Sequence, residues 1–295
     1  MRSDRAAPKP WCGAGWFVGA GDGRQRCANP RHCSDYRADA DAIDGTPLST
    51  AKQYLAAAAL ELEVGQRMLE RLTYVKLDPA WMLDAGCGPA PQAVGLQARF
   101  PRAKLCALDR SHALLQQIAQ PQWFAPWRRT PRVSRVCADL AALPLAQASM
   151  GLVWSNMAVH LMDAAAALRE FARVLQPEGL LMFSCFGPDT LREIDQPPQY
   201  LDMHDLGDLL TQCGFSAPVM DMEVFHLNYS DHEQLAREQW LAGRLPAPPR
   251  LASMSTDARP ALAFEIIYGH AWKGVSRRHA GEPAVVNIDS IRRHR

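Results

Sequence analysis

The sequence predicts an α/β fold: a mostly parallel sheet with helices on both faces. Three observations predict it. Short apolar runs recur at Trp81–Asp84, Lys104–Leu108, Arg132–Cys137, Met150–Trp154 and Leu180–Phe186. Strands buried on both faces read as such continuous runs, because helices cover each side of a parallel sheet. Between most of them lie stretches with apolar residues at helical intervals. Polar or small residues then close the runs: Asp84 with Gly86 and Gly88, Asp109, Asp139, and Ser155 with Asn156.

Each element follows from local chemistry. Residues 51–72 are Ala-rich, with Leu55, Leu62, Leu69 and Leu72 at helical spacing, and read as the opening helix. Trp81–Asp84 is the first strand, and Gly86-Cys87-Gly88 the tight turn after it. Val94 to Phe100 forms the next helix, stopped by Pro101. The second strand closes on Asp109, and Ser111 caps a helix running to Gln120. The third strand closes on Asp139 and the fourth on Ser155-Asn156. Ala164 to Leu175 is a helix with Leu168, Phe171 and Leu175 on one face. Pro177-Glu178-Gly179 turns the chain into the fifth strand.

Composition bounds the function. The chain has 295 residues, enough for one large domain with appendages. It carries 32 basic and 31 acidic residues, so bulk charge gives no reason to expect a nucleic-acid partner. No run approaches the roughly 18–20 apolar residues a membrane helix needs. The N-terminus has no apolar signal core, which predicts a cytoplasmic location. The eight cysteines form no CxxC, and Cys27, His32 and Cys33 lack a fourth ligand, so no metal is expected. Residues 1–45 show no hydrophobic period and read as a disordered extension; residues 274–295 read as a basic tail. The domain proper is expected over 46–273.

The strand ends suggest what binds. In parallel sheets ligands sit outside the carboxyl ends of the strands. Gly86 and Gly88 let the backbone approach a ligand closely. Asp109 lies 21 positions after Gly88, near the roughly 20 expected of an acid that binds ribose hydroxyls. A dinucleotide motif would need a third glycine, where Pro91 stands. A nucleoside cofactor without phosphate fits better.

Asp84-Ala85-Gly86-Cys87-Gly88, then Asp109, then Ala138-Asp139-Leu140 resemble the class I S-adenosylmethionine methyltransferases. The resemblance implies a Rossmann-like sheet with an antiparallel last strand. It places Asp84 at the aminoacyl end of S-adenosylmethionine, Asp109 on its ribose, and Asp139 with Leu140 beside its adenine. Asn156 completes the implied cofactor set. Capping is the competing role for Asp84 and Asp139.

A narrower family fits further blocks. Tyr54-Leu55-Ala56-Ala57-Ala58, Trp154-Ser155-Asn156-Met157-Ala158, Phe186-Gly187-Pro188-Asp189-Thr190-Leu191, Asp202-Met203-His204-Asp205-Leu206 and Glu265-Ile266-Ile267-Tyr268-Gly269-His270-Ala271-Trp272 resemble the malonyl-acyl-carrier-protein O-methyltransferases of biotin synthesis, the BioC family. The resemblance covers roughly residues 50–273. It implies carboxyl methylation of malonyl-acyl carrier protein, or malonyl-CoA, without a metal. Ala90 replaces the family's third glycine, and the segments after Arg192 and Trp240 look shortened, so a reduced substrate cap is expected. The same blocks also suit a methyltransferase for another small acceptor, or a weakened or repurposed assembly factor or hydroxylase.

Among individual residues, Tyr54 is the candidate lining the transfer site; packing is its competing role. Arg192 is a candidate partner of the malonyl carboxylate, because a guanidinium pairs bidentately with one. His160 follows the fourth strand and could face the cleft. Arg128, Arg129, Arg132 and Arg135 form an internal basic cluster, expected to face solvent. Trp123, Phe124 and Trp127 are expected to pack between elements.

Overall fold

The computed structural model describes residues 51–118, 133–194, 197–231, 234–235, 238 and 261–274. The expected extension over 1–45, the Cys27–Cys33 group, the aromatics at 123–127, three of the four clustered arginines and the tail beyond 274 lie outside these residues.

Two helices open the described chain, α1 (Ala51–Ala57) and α2 (Ala59–Leu72). The sequence predicts one helix here. The break falls at Ala58, whose ψ of 31° leaves the helical range. No glycine or proline marks it. The sheet strands follow: β1 (Trp81–Ala85), β2 (Lys104–Asp109), β3 (Val133–Cys137), β4 (Met150–Ser155) and β5 (Leu175–Phe186). Helices α3 (Ala93–Arg99), α4 (His112–Gln116) and α5 (Ala164–Val174) intervene. Then come α6 (Met203–Gln212), β6 (Phe215–Asn228) and β7 (Ala261–Lys273).

The seven strands lie in the order β3-β2-β1-β4-β5-β7-β6. β1 pairs in parallel with both β2 and β4. β7 runs antiparallel to both β5 and β6, which gives the expected antiparallel final strand. The order reverses between β1 and β4. Such a switch point leaves a crevice at the strands' carboxyl ends, where connections depart to opposite faces.

Local chemistry sets the boundaries. Ser111 caps α4 by accepting from the Leu114 N–H, as expected. Asp163 caps α5 through the Ala165 and Ala166 N–H groups. Asp202 caps α6 through His204 N–H. The expected Pro177-Glu178-Gly179 turn survives as an irregularity inside β5, where the register with β4 shifts and Glu178 has φ 61°.

Core packing fixes the switch point. Every residue of β4 is buried. One face of the sheet packs Met68, Leu72, Trp154 and Phe264 together; the other packs Leu168, Phe171, Phe183 and Leu210. Each large apolar side chain buried this way stabilises the fold by roughly 1.5–3 kcal/mol.

Candidate active site

The crevice is built around β1. Asp84 is 2% exposed. Its Oδ2 has no hydrogen-bond partner among the described residues. Burial first, and the Asp109 carboxylate second, push its acidity from 3.8 to about 7. An unpaired buried carboxylate costs stability unless a cation meets it. A cationic ligand would supply that partner.

The turn after β1 gives a ligand access. Gly86 has φ 74° and Gly88 φ 53°, conformations that L side chains rarely adopt. A Cβ on Gly86 would sit 2.4 Å from Ala158 Cβ. Ala90 holds φ 53°, so the third-glycine position keeps a glycine-like backbone while carrying a methyl group. Its N–H donates to Cys87 O at 2.8 Å, closing the turn.

Asp109 stiffens the same turn. Its Oδ2 accepts from Gly88 N–H at 2.7 Å and its Oδ1 from Ser111 N–H at 2.8 Å. Burial pushes this carboxyl upward as well, against those bonds. The Arg110 N–H bonds this carboxylate too, and acceptor capacity remains for a ligand hydroxyl. β3 joins the arrangement through the Ala138 N–H, which donates to Asp109 O at 3.2 Å. Leu140 is buried and packs against the Gly86 turn. Asp139 Oδ1 accepts from Ala141 N–H at 2.8 Å, so this side chain does cap its turn.

The opening helices close the cleft. Tyr54, Ala58, Glu61 and Leu62 line it together with Asp84, Gly86, Cys87, Pro91, Gln92 and Asn156. The Tyr54 ring lies over Gly88. Asn156 is fastened on both sides: its Nδ2 donates to Glu61 O at 2.8 Å, and its Oδ1 accepts from Ser184 Oγ at 2.9 Å.

The structure thus brings together Tyr54, Asp84, Gly86, Gly88, Asp109, Leu140 and Asn156, with Asp139 on the adjoining turn. Arg192 is not among the residues that line this cleft. Its side chain is 65% exposed and ion-paired with Asp189. The Asp189 loop is itself pinned to β7, because Asp189 N–H donates to Glu265 Oε2 at 2.7 Å. Arg135, the described member of the basic cluster, donates to the Leu115 and Gln116 carbonyls and ties β3 to α4.

Sequence reasoning missed Glu61 and Gln92. Positions 54, 58, 61 and 62 fall on one helical face, a signal that could have found the first. Gln92 is buried just before α3, and nothing local announces that.

Fold and site together define a class I methyltransferase. The order of strands, the antiparallel β7 and the acids at the ends of β1 and β2 are its features. The family described as "Methyltransferase domain" matches residues 83–183. In the crystal structure of YcgJ from Bacillus subtilis the same fold recurs, at TM-score 0.54 and 14% identity over 71% of this chain and 99% of that one. The chain belongs to the malonyl-[acyl-carrier protein] O-methyltransferase family. The protein of that name from Methylovorus sp. (strain MP688) is 40% identical over 77% of this chain and 86% of its own length. That from Gallionella capsiferriformans is 39% identical over 80% and 91%. The chain is therefore an S-adenosylmethionine-dependent enzyme. No cluster able to hold a metal occurs among the described residues. No described helix is long and apolar enough to cross a membrane.

Proposed function

We propose that the protein methylates the free carboxylate of malonyl-acyl carrier protein, forming the methyl ester that enters biotin-precursor synthesis. Two things support this reading: relatives carrying that name span most of the chain, and the buried Asp84 carboxylate faces a cleft suited to a cationic cosubstrate. The relatives' shared name carries the acceptor; Asp84 Oδ2, with no hydrogen-bond partner among the described residues, supports the cationic cosubstrate.

S-adenosylmethionine supplies an electrophilic methyl group on a sulfonium. A malonyl carboxylate oxygen forms the new bond to that carbon; the carbon–sulfur bond breaks, and its electron pair stays on sulfur. The carboxylate is already ionised at neutral pH, so no general base is required. Opposite charges neutralise as the bond forms. Catalysis then rests on alignment and exclusion of water.

The chain's residues divide that work. Asp84 meets the cosubstrate's α-ammonium, and Asp109 accepts from its ribose hydroxyls. Leu140 and Asp139 border the adenine. Tyr54 covers the turn and lines the transfer site, and Asn156 fixes the wall between cosubstrate and acceptor. Malonyl-CoA shares the thioester and is a second acceptor to try. The location proposed with this reaction is the cytoplasm.

Rescue of a bacterial strain that requires biotin because it lacks this step tests the proposal. The wild-type gene should restore growth without biotin, and an Asp84→Ala gene should not. Growth with neither, despite normal cosubstrate binding by the purified wild type, would overturn it.

A further inference from the structure

A second cleft opens beyond the turn that follows β4. Val159 and His160 come from that turn, Cys185 and Phe186 from the end of β5, and Tyr200 and Leu206 from the segment leading into α6. Among the described residues, no carboxylate, lysine or arginine lines it.

The two clefts share one partition. Asn156 lines the first and His160 the second. Between them, Ala158 backs the Gly86 turn. Ser184 Oγ accepts from Met157 N–H at 3.0 Å while donating to Asn156 Oδ1. β5 then continues directly into Cys185 and Phe186. A group held in the second cleft therefore lies one short turn from the first.

The lining chemistry limits what that group can be. Its described walls are mostly aromatic and aliphatic, with His160 and the Gln199 amide as polar groups beside the Tyr200 hydroxyl and the Cys185 thiol. Burial pushes the Cys185 thiol up to about 12, so it offers no competing nucleophile. The His160 ring sits 4.5 Å from the Phe186 ring and 5.4 Å, edge-on, from Tyr200. Two flanking rings fix the imidazole plane and hence the direction of its nitrogens.

A wall without a guanidinium also suits the reaction. A guanidinium on the accepting carboxylate would hold its charge more tightly before methyl transfer than during it, which slows the step. Orientation is better gained from another polar group of the acceptor. In a malonyl thioester that group is the thioester carbonyl.

We propose that this cleft is the acceptor subsite, taking the thioester half of a malonyl thioester, with the His160 ring hydrogen-bonding the thioester carbonyl oxygen. The inference rests on the malonyl-thioester reading above. It assigns orientation to an imidazole held between Phe186 and Tyr200, where the sequence suggested Arg192.

The test compares two acceptors on the full-length protein. One is malonyl carrier protein. The other is the carboxyethyl thioether, in which a methylene replaces the thioester carbonyl. Wild type should prefer the thioester by about tenfold in kcat/KM, the scale of one hydrogen bond. His160→Ala should lose that preference, and His160→Gln should recover part of it. Affinity for S-adenosylhomocysteine should stay within about twofold in both variants, which reports an intact fold and first cleft. Tyr200→Ala, which frees the ring plane, should weaken the preference too. Equal losses on both acceptors, or an unchanged preference in His160→Ala, would overturn the subsite while leaving the proposed reaction standing. No wild-type turnover of malonyl carrier protein would overturn both.

Discussion

Asp84→Asn should make the unliganded protein more stable at pH 8 while weakening its grip on cosubstrate. Burial raises the Asp84 carboxyl from 3.8 to about 7. The folded state therefore binds this proton more tightly than the unfolded chain does. Below pH 3.8 both states are protonated and the group contributes no difference. As pH rises from about 4 to about 7, the unfolded chain ionises first, and stability falls. Above about 7 the penalty is complete. Three units correspond to roughly 4 kcal/mol as an upper bound. An amide cannot ionise, so the variant escapes this penalty but must bury an N–H₂ group. The expected net gain at pH 8 is about 1–3 kcal/mol, or about 3–10 °C in Tm, and zero to slightly negative at pH 4.

Binding should show the opposite preference. If a cationic ligand requires the ionised carboxylate, affinity follows the ionised fraction. With an acidity near 7, that fraction rises about eightfold between pH 6.0 and 7.5. Asp109 shifts in the same direction, so the variant isolates the Asp84 share. Calorimetric titration with S-adenosylhomocysteine, beside thermal melts at pH 4 and 8, measures both effects. A variant less stable than wild type at pH 8, or a wild-type affinity flat from pH 6.0 to 7.5, would refute the reasoning.

Other substitutions separate steric from conformational demands. Gly86→Ala should cost about 2–3 kcal/mol and abolish cosubstrate binding, since the new methyl meets Ala158 at 2.4 Å and the φ is 74°. Gly88→Ala should cost only about 1 kcal/mol, because its nearest neighbours stand at 3.7 Å and only the backbone is strained; melts of the two variants give the comparison. Thr190→Val removes the hydroxyl that bonds both the N–H and C=O of Glu265, and should lower stability by about 1–3 kcal/mol in denaturant unfolding. Glu170 is held below its ordinary range, chiefly by Arg173, and also accepts from Leu143 N–H. Its contribution is present above its unfolded pKa and lost as pH falls through the folded one. Glu170→Gln should therefore cost about 1 kcal/mol at pH 7, discounted for partial exposure, and the cost should vanish as pH falls through the folded pKa.

Much of this was legible in the chain. β1, β2, β4 and the core of β5 are buried on both faces, so they read as apolar runs with little contamination. The acids at their ends were legible for the same reason, as a polar residue closing an apolar run stands out. β6 hid because it is an edge strand: Pro218, Asp221 and Glu223 interrupt it, and only its register with β7 defines it. The break at Ala58 hid because it lies within an Ala-rich helical stretch. Arg67 and Arg71 there bond Glu223 and Asp221 of β6, contacts made across some 150 positions. Gln92 and Glu61 join the site only once those helices dock. Arg192 was legible by charge and position, and the structure adds its ion pair with Asp189, three residues earlier.

The central claim is that this chain transfers a methyl group to the malonyl carboxylate. The most direct measurement is the intact mass of malonyl carrier protein after incubation with full-length enzyme and S-adenosylmethionine. One added methyl group per malonyl group is expected, retained on the malonyl fragment when the thioester is cleaved. Unmodified malonyl carrier protein, from an enzyme that binds S-adenosylhomocysteine normally, would contradict it.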